Sequence, residues 1–81
     1  MGREYKILCS PPRGQALQRI LQKLPQPFHH SQMEEIYDYR VDEDGYYFVD
    51  HLVDRGVAAA GLQVFLDAAL SSGETVTIIE P

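Results

Sequence analysis

The chain has 81 residues, seven basic and twelve acidic, for a net charge of −5, and 44% of it is hydrophobic. That is one small domain, residues 1–81, and the balance excludes a collagen-like chain or a polar disordered one. No stretch reaches about 18 consecutive apolar residues, so no helix is expected to cross a membrane.

Glu4–Cys9 reads as a first strand, because Tyr5, Ile7 and Cys9 alternate with polar neighbours. Ser10-Pro11-Pro12-Arg13-Gly14 ends it, since two prolines cannot continue a ladder. A first helix is predicted from Gly14 to Leu24, with Leu17, Ile20, Leu21 and Leu24 forming one apolar stripe. Pro25 and Pro27 close it. Pro25–Gln32 reads as a loop, with Phe28 as its anchor.

Met33–Asp54 reads as a β-hairpin. Asp44-Gly45 is taken as the two-residue turn, a pair that accepts positive φ. This register sets Val41 opposite Phe48, Tyr37 opposite Leu52, Asp38 opposite His51 and Arg40 opposite Val49. The expected core face is Tyr37, Tyr39, Val41, Phe48 and Leu52. A second helix follows from Arg55 to Ser71, with Asp54 as N-cap and Ser72-Gly73 as its stop. Ala58, Leu62, Phe65, Leu66 and Ala69 form its core stripe. Val57, Ala60, Val64 and Ala68 carry apolar character around the cylinder. The small run Ala58–Gly61 is expected to admit a second backbone closely. Thr75–Ile79, β-branched throughout, is the last strand.

The order β-α-β-β-α-β, with two right-handed crossovers around a hairpin, resembles the ferredoxin-like α/β plait. That resemblance implies an α+β domain: a four-stranded antiparallel sheet with two helices on one face. The other sheet face is then bare and shows Ile36, Asp38, Arg40, Tyr47, Val49, His51 and Val53. That mixture suits a surface covered by a partner. With Cys9 as the only cysteine and no Cys/His quartet, neither a disulfide nor structural zinc can brace so small a domain. Oligomerisation is the brace left open. The expected interface is Ile36, Arg40, Tyr47, Val49, His51 and Val53, with Val57 and Val64 on the second helix.

Two further resemblances are local. Ser10–Leu17 is similar to the strand-to-helix turn of ACT domains, which implies a small ligand held by Ser10, Arg13, Gly14 and Gln15. Asp44-Gly45-Tyr46-Tyr47-Phe48-Val49-Asp50-His51 looks like the RNP1 octapeptide of RNA-recognition motifs. Here Asp44 replaces a basic residue, Tyr47 a small one and His51 an aromatic one, and the net negative charge opposes a polyanion. Nucleic acid is therefore disfavoured.

The remaining candidates read as structural. Adjacent His29 and His30 point apart in an extended loop, Asp38 and His51 form a cross-strand pair, and Asp42-Glu43-Asp44 is a solvated hairpin tip. No metal and no cofactor is expected. The charge is uneven: residues 1–25 carry five bases and one acid, and residues 26–81 carry two bases and eleven acids. The N-terminal stretch lacks a signal-like apolar run, which favours the cytoplasm. The combined expectation is a non-catalytic oligomerisation, regulatory or protein-interaction module. A small-ligand sensor at the first turn is the alternative.

Overall fold

Alternation along the strands and a 3.6-residue period along the helices fix the layers seen in the computed structural model, which describes residues 2–25, 36–71 and 75–81. The elements run β1 (Arg3–Leu8), α1 (Gln15–Leu21), β2 (Tyr37–Asp42), β3 (Gly45–Asp50), α2 (Arg55–Leu70) and β4 (Thr77–Ile79). The strands form one antiparallel sheet in the order β2-β3-β1-β4. With two helices packed on one face, this is the ferredoxin-like α/β plait that the element order predicts.

Because side chains alternate across a strand, the register decides which residues meet. Tyr5 lies opposite Phe48 and Ile7 opposite Tyr46 across β1 and β3. Tyr39 lies opposite Phe48 and Val41 opposite Tyr46 across β2 and β3. These residues face the helices. Phe65 of α2 seats among their rings, with centroids 5.0 Å from Tyr46, 5.4 Å from Tyr39 and 6.0 Å from Phe48. Tyr37 stacks on Phe48 at 5.1 Å. A Cβ on Gly61 would lie 3.3 Å from the Phe48 ring and 3.4 Å from that of Tyr37. The small run in α2 therefore lets the helix settle on two aromatic rings, not on a second backbone.

The hairpin keeps its predicted faces but slides by two residues. Asp42 pairs with Gly45, so the turn is Glu43-Asp44. Gly45 serves a different need: at φ 150°, a Cβ there would fall 1.9 Å from the Ile7 carbonyl oxygen of β1. Leu52 is not a core residue. β3 ends at Asp50, whose Oδ1 accepts the Leu52 N–H at 2.8 Å, and Leu52 turns the chain at φ 63° with its side chain exposed.

Asp54 caps α2 as predicted, accepting from the Val57 N–H at 3.1 Å. α1 is shorter than its apolar stripe. Beyond Leu21 the bonds tighten to three-residue spacing, Lys23 N–H to Ile20 O and Leu24 N–H to Leu21 O. β4 pairs over Thr77–Ile79 only. Phe28, His29, His30, Met33, Ser72 and Gly73 lie outside the described residues.

Candidate functional site

The sheet face away from the helices carries Glu4 and Lys6 from β1, Asp38, Arg40 and Asp42 from β2, and Tyr47 and Val49 from β3. The alternation that sends their neighbours inward makes them cross-strand partners here. Lys6 Nζ lies 2.7 Å from Asp42 Oδ2 and 2.9 Å from Asp44 Oδ1. Arg40 Nε donates to Asp42 Oδ1 at 2.8 Å, and its guanidinium sits 4.9 Å from the centre of the Tyr47 ring. The Tyr47 hydroxyl donates to Glu4. Asp42 and Asp44 are thus not a merely solvated tip, since both bind Lys6.

Arg40 first, and Lys6 second, hold the Asp42 carboxyl below its usual range. The hydrogen bond to Asp42 is the largest influence raising the Lys6 ammonium and the Arg40 guanidinium. Glu4 raises the Tyr47 phenol. At neutral pH Asp42, Lys6 and Arg40 are therefore charged and Tyr47 is neutral.

Of the expected interface, Arg40, Tyr47 and Val49 stand on this face. His51 follows β3, its backbone N–H donating to Ile36 O, and its Nε2 lies 2.8 Å from Asp38 Oδ2. The predicted Asp38–His51 pair therefore forms, but diagonally, because Asp38 lies directly opposite Val49. Ile36 is a correction: it is fully buried and lies one residue before β2 begins. Val53 is 63% exposed but sits in the turn into α2, off the sheet. Val57 and Val64 are half-buried and packed against the core, not on an outer stripe, and Val64 meets the groove beside Ile20 and Lys23 of the α1 region. Of the RNP1-like residues, Tyr46 and Phe48 point into the core at 0% exposure, while Tyr47 and Val49 face outward.

The second candidate is a cleft of about 430 Å³ between the β1–α1 turn and the hairpin tip. Ser10, Pro11, Pro12 and Arg13 form one wall, Val41, Asp42 and Glu43 the other, and Leu17 reaches in from α1. Ser10 and Arg13 of the expected ligand set thus line one space. Gly14 takes φ 65° at the start of α1, the left-handed region that glycine tolerates. Gln15 does not line this cleft and instead borders a shallow depression with Gln18, Arg19 and Gln22.

A third feature is the outer edge of the sheet, which the alternation of single strands does not reveal. β4 is an edge strand, and its consecutive Ile78 and Ile79 are 50% and 44% exposed. The signal was present as an uncharged β-branched run, but which strand forms the edge follows only from the sheet order.

Among the described residues, no helix is long and apolar enough to cross a membrane, and no group of three or more His, Cys, Asp or Glu could hold a metal ion. No protein-family model, curated protein or solved structure matches this chain.

Proposed function

We propose that this domain is a non-catalytic association module that works through the part of its sheet that the helices leave uncovered. The observation that carries this reading is the pair Ile78 and Ile79 on the outer edge of β4, unpaired among the described residues, adjacent in sequence, on opposite faces and both about half exposed. Edge strands are normally blunted by charge, proline, a bulge or a cover, and Thr77–Ile79 contains neither charge nor proline. The groups capable of acid–base chemistry on the open face are engaged with one another, as Asp38 with His51, Tyr47 with Glu4, and Lys6 with Asp42 and Asp44.

A photo-crosslinking phenylalanine analogue at position 79, in the cells that make the protein, tests this. Covalent adducts are expected at 79 and not at Gln63, which is exposed on α2. Equal yields at both positions, or none at 79, would overturn the reading.

A second reading is favoured by the cleft that joins Ser10 and Arg13. Opposite charges on its walls, Arg13 against Asp42 and Glu43, suit a small zwitterionic ligand over the apolar Leu17 and Val41. Such a ligand would move the backbone amide signals of Arg13 and Glu43. No movement across a panel of amino acids and amino phosphates rejects it.

A further inference from the structure

We infer that the cleft between the β1–α1 turn and the hairpin tip takes a free dipeptide with an apolar side chain, its carboxylate on Arg13 and its ammonium on Glu43. The inference rests on the small-ligand reading of this cleft given above and names the ligand.

The sheet fixes the two walls. Gly45 lets the hairpin tip close onto β1, since a Cβ there would meet the Ile7 carbonyl oxygen at 1.9 Å. The Cys9 N–H then donates to the Asp44 carbonyl at 3.1 Å. That bond ties the walls together one residue before Ser10. Ser10 and Pro11 each precede a proline, which favours extended backbone at both. The chain therefore leaves the tip before Gly14 turns it into α1.

Folding leaves one charge over on each wall. At the tip, Asp42 and Asp44 both bind Lys6, and Asp42 also binds Arg40. Glu43 stands between these two acids, and among the described residues no ion pair joins it. The same holds for Arg13 on the opposite wall, although both side chains line one space. A ligand that bridges them is anionic at one end and cationic at the other. The planar fork of Arg13 matches a carboxylate.

Between the charges the lining is mostly apolar. Leu17, Val41, Pro11 and Pro12 are half-buried around it, and the prolines offer no N–H. Ser10 supplies a hydroxyl, which both donates and accepts. The volume, about 430 Å³, falls in the range of roughly 300–1,000 Å³ usual for small-molecule sites. A free α-amino acid carries both charges on one carbon and fills a fraction of that space. A dipeptide sets its charges a full peptide unit further apart. It also brings an amide to Ser10 and lays an apolar side chain over Leu17 and Val41.

Titration of the full chain with alanyl-leucine, followed through the backbone amide signals, tests this. Saturable movement is expected at Arg13 and Glu43. Arg13→Gln and Glu43→Gln are each expected to weaken binding by at least about tenfold, while Arg19→Gln, outside the cleft, leaves it unchanged. Circular dichroism reports whether the variants fold, and either one suffices. Leucine lacks the charge separation and N-acetyl-alanyl-leucine amide lacks the charges, so each is expected to bind at least about tenfold more weakly. Leucine binding as tightly as the dipeptide overturns the dipeptide and leaves the small-zwitterion reading standing. So does a dipeptide that moves nothing while leucine or an amino phosphate moves Arg13 and Glu43. A capped peptide as tight as the free one, or no movement with any of these probes, overturns both.

Discussion

The hydroxyl of Tyr46 is buried without a hydrogen-bond partner among the described residues, although its ring is fully covered. Burial, and then Cys9 nearby, raise the phenol above its ordinary range, so it is protonated at neutral pH. The ring has a clear role, packing on Phe65 and lying opposite both Ile7 and Val41. The oxygen has only the cost of leaving water, since an orphaned buried polar group loses about 1–3 kcal/mol. Tyr37 differs: its hydroxyl reaches the Pro25 carbonyl, and burial first, then Tyr39, push it up to about 12. Tyr46→Phe is therefore expected to raise stability by about 1 kcal/mol. In urea this shows as a higher midpoint at unchanged slope. A fall in the midpoint would mean that the hydroxyl has a partner after all.

At the scale of elements, what could be read from the sequence was whatever depends on local period. The alternation Tyr37, Tyr39, Val41 identified the inward face of β2, and Asp54 announced the start of α2. What could not be read depends on a neighbour distant in sequence. Asp44-Gly45 is a good turn pair considered alone, yet Gly45 is held by the approach of Ile7 from β1, and the turn moves to Glu43-Asp44. The slide of two preserves the faces, because the side-chain period is two, so Tyr37, Val41 and Phe48 stay on the inward face in spite of the wrong register, whereas Tyr39, on the same face, is 41% exposed. Leu52 failed for a different reason: Asp50 takes its N–H and turns the chain before a further pair can form. The open face read as a mixture suited to a partner because the hairpin was read alone. Once β1 lies beside β3, Lys6 and Glu4 arrive next to Tyr47 and Val49, and the face becomes a chain of charge-assisted contacts. At the β1–α1 turn the sequence placed Ser10 and Arg13 near each other, but the opposing wall of their cleft comes from β2 and the hairpin tip.

For the whole molecule, the uneven charge along the chain is only partly mixed by folding. Lys6, from the basic first third, crosses to Asp42 and Asp44, whereas among the described residues no ion pair joins Arg13, Arg19 or Lys23. Asp42 is the meeting point: it binds Lys6 of β1 and Arg40 of its own strand, and so ties β2 to β1 across the intervening β3 through one carboxylate. Its pKa is lowered in the folded state, so below the ordinary carboxylate value of about 3.9 the folded chain binds fewer protons at this site than the unfolded one. The stability that Asp42 contributes is complete above that value and is lost as pH falls through its lowered folded value. Asp42→Asn removes the charge at every pH. The variant is expected to be less stable than the wild type near neutrality, and the gap should close as the wild type is acidified toward about pH 2. Exposed pairs are worth little singly, so the narrowing gap is the diagnostic, more than its size. Urea midpoints of both proteins at the two pH values measure it. A gap that stays constant would place the role of Asp42 in packing and not in its charge.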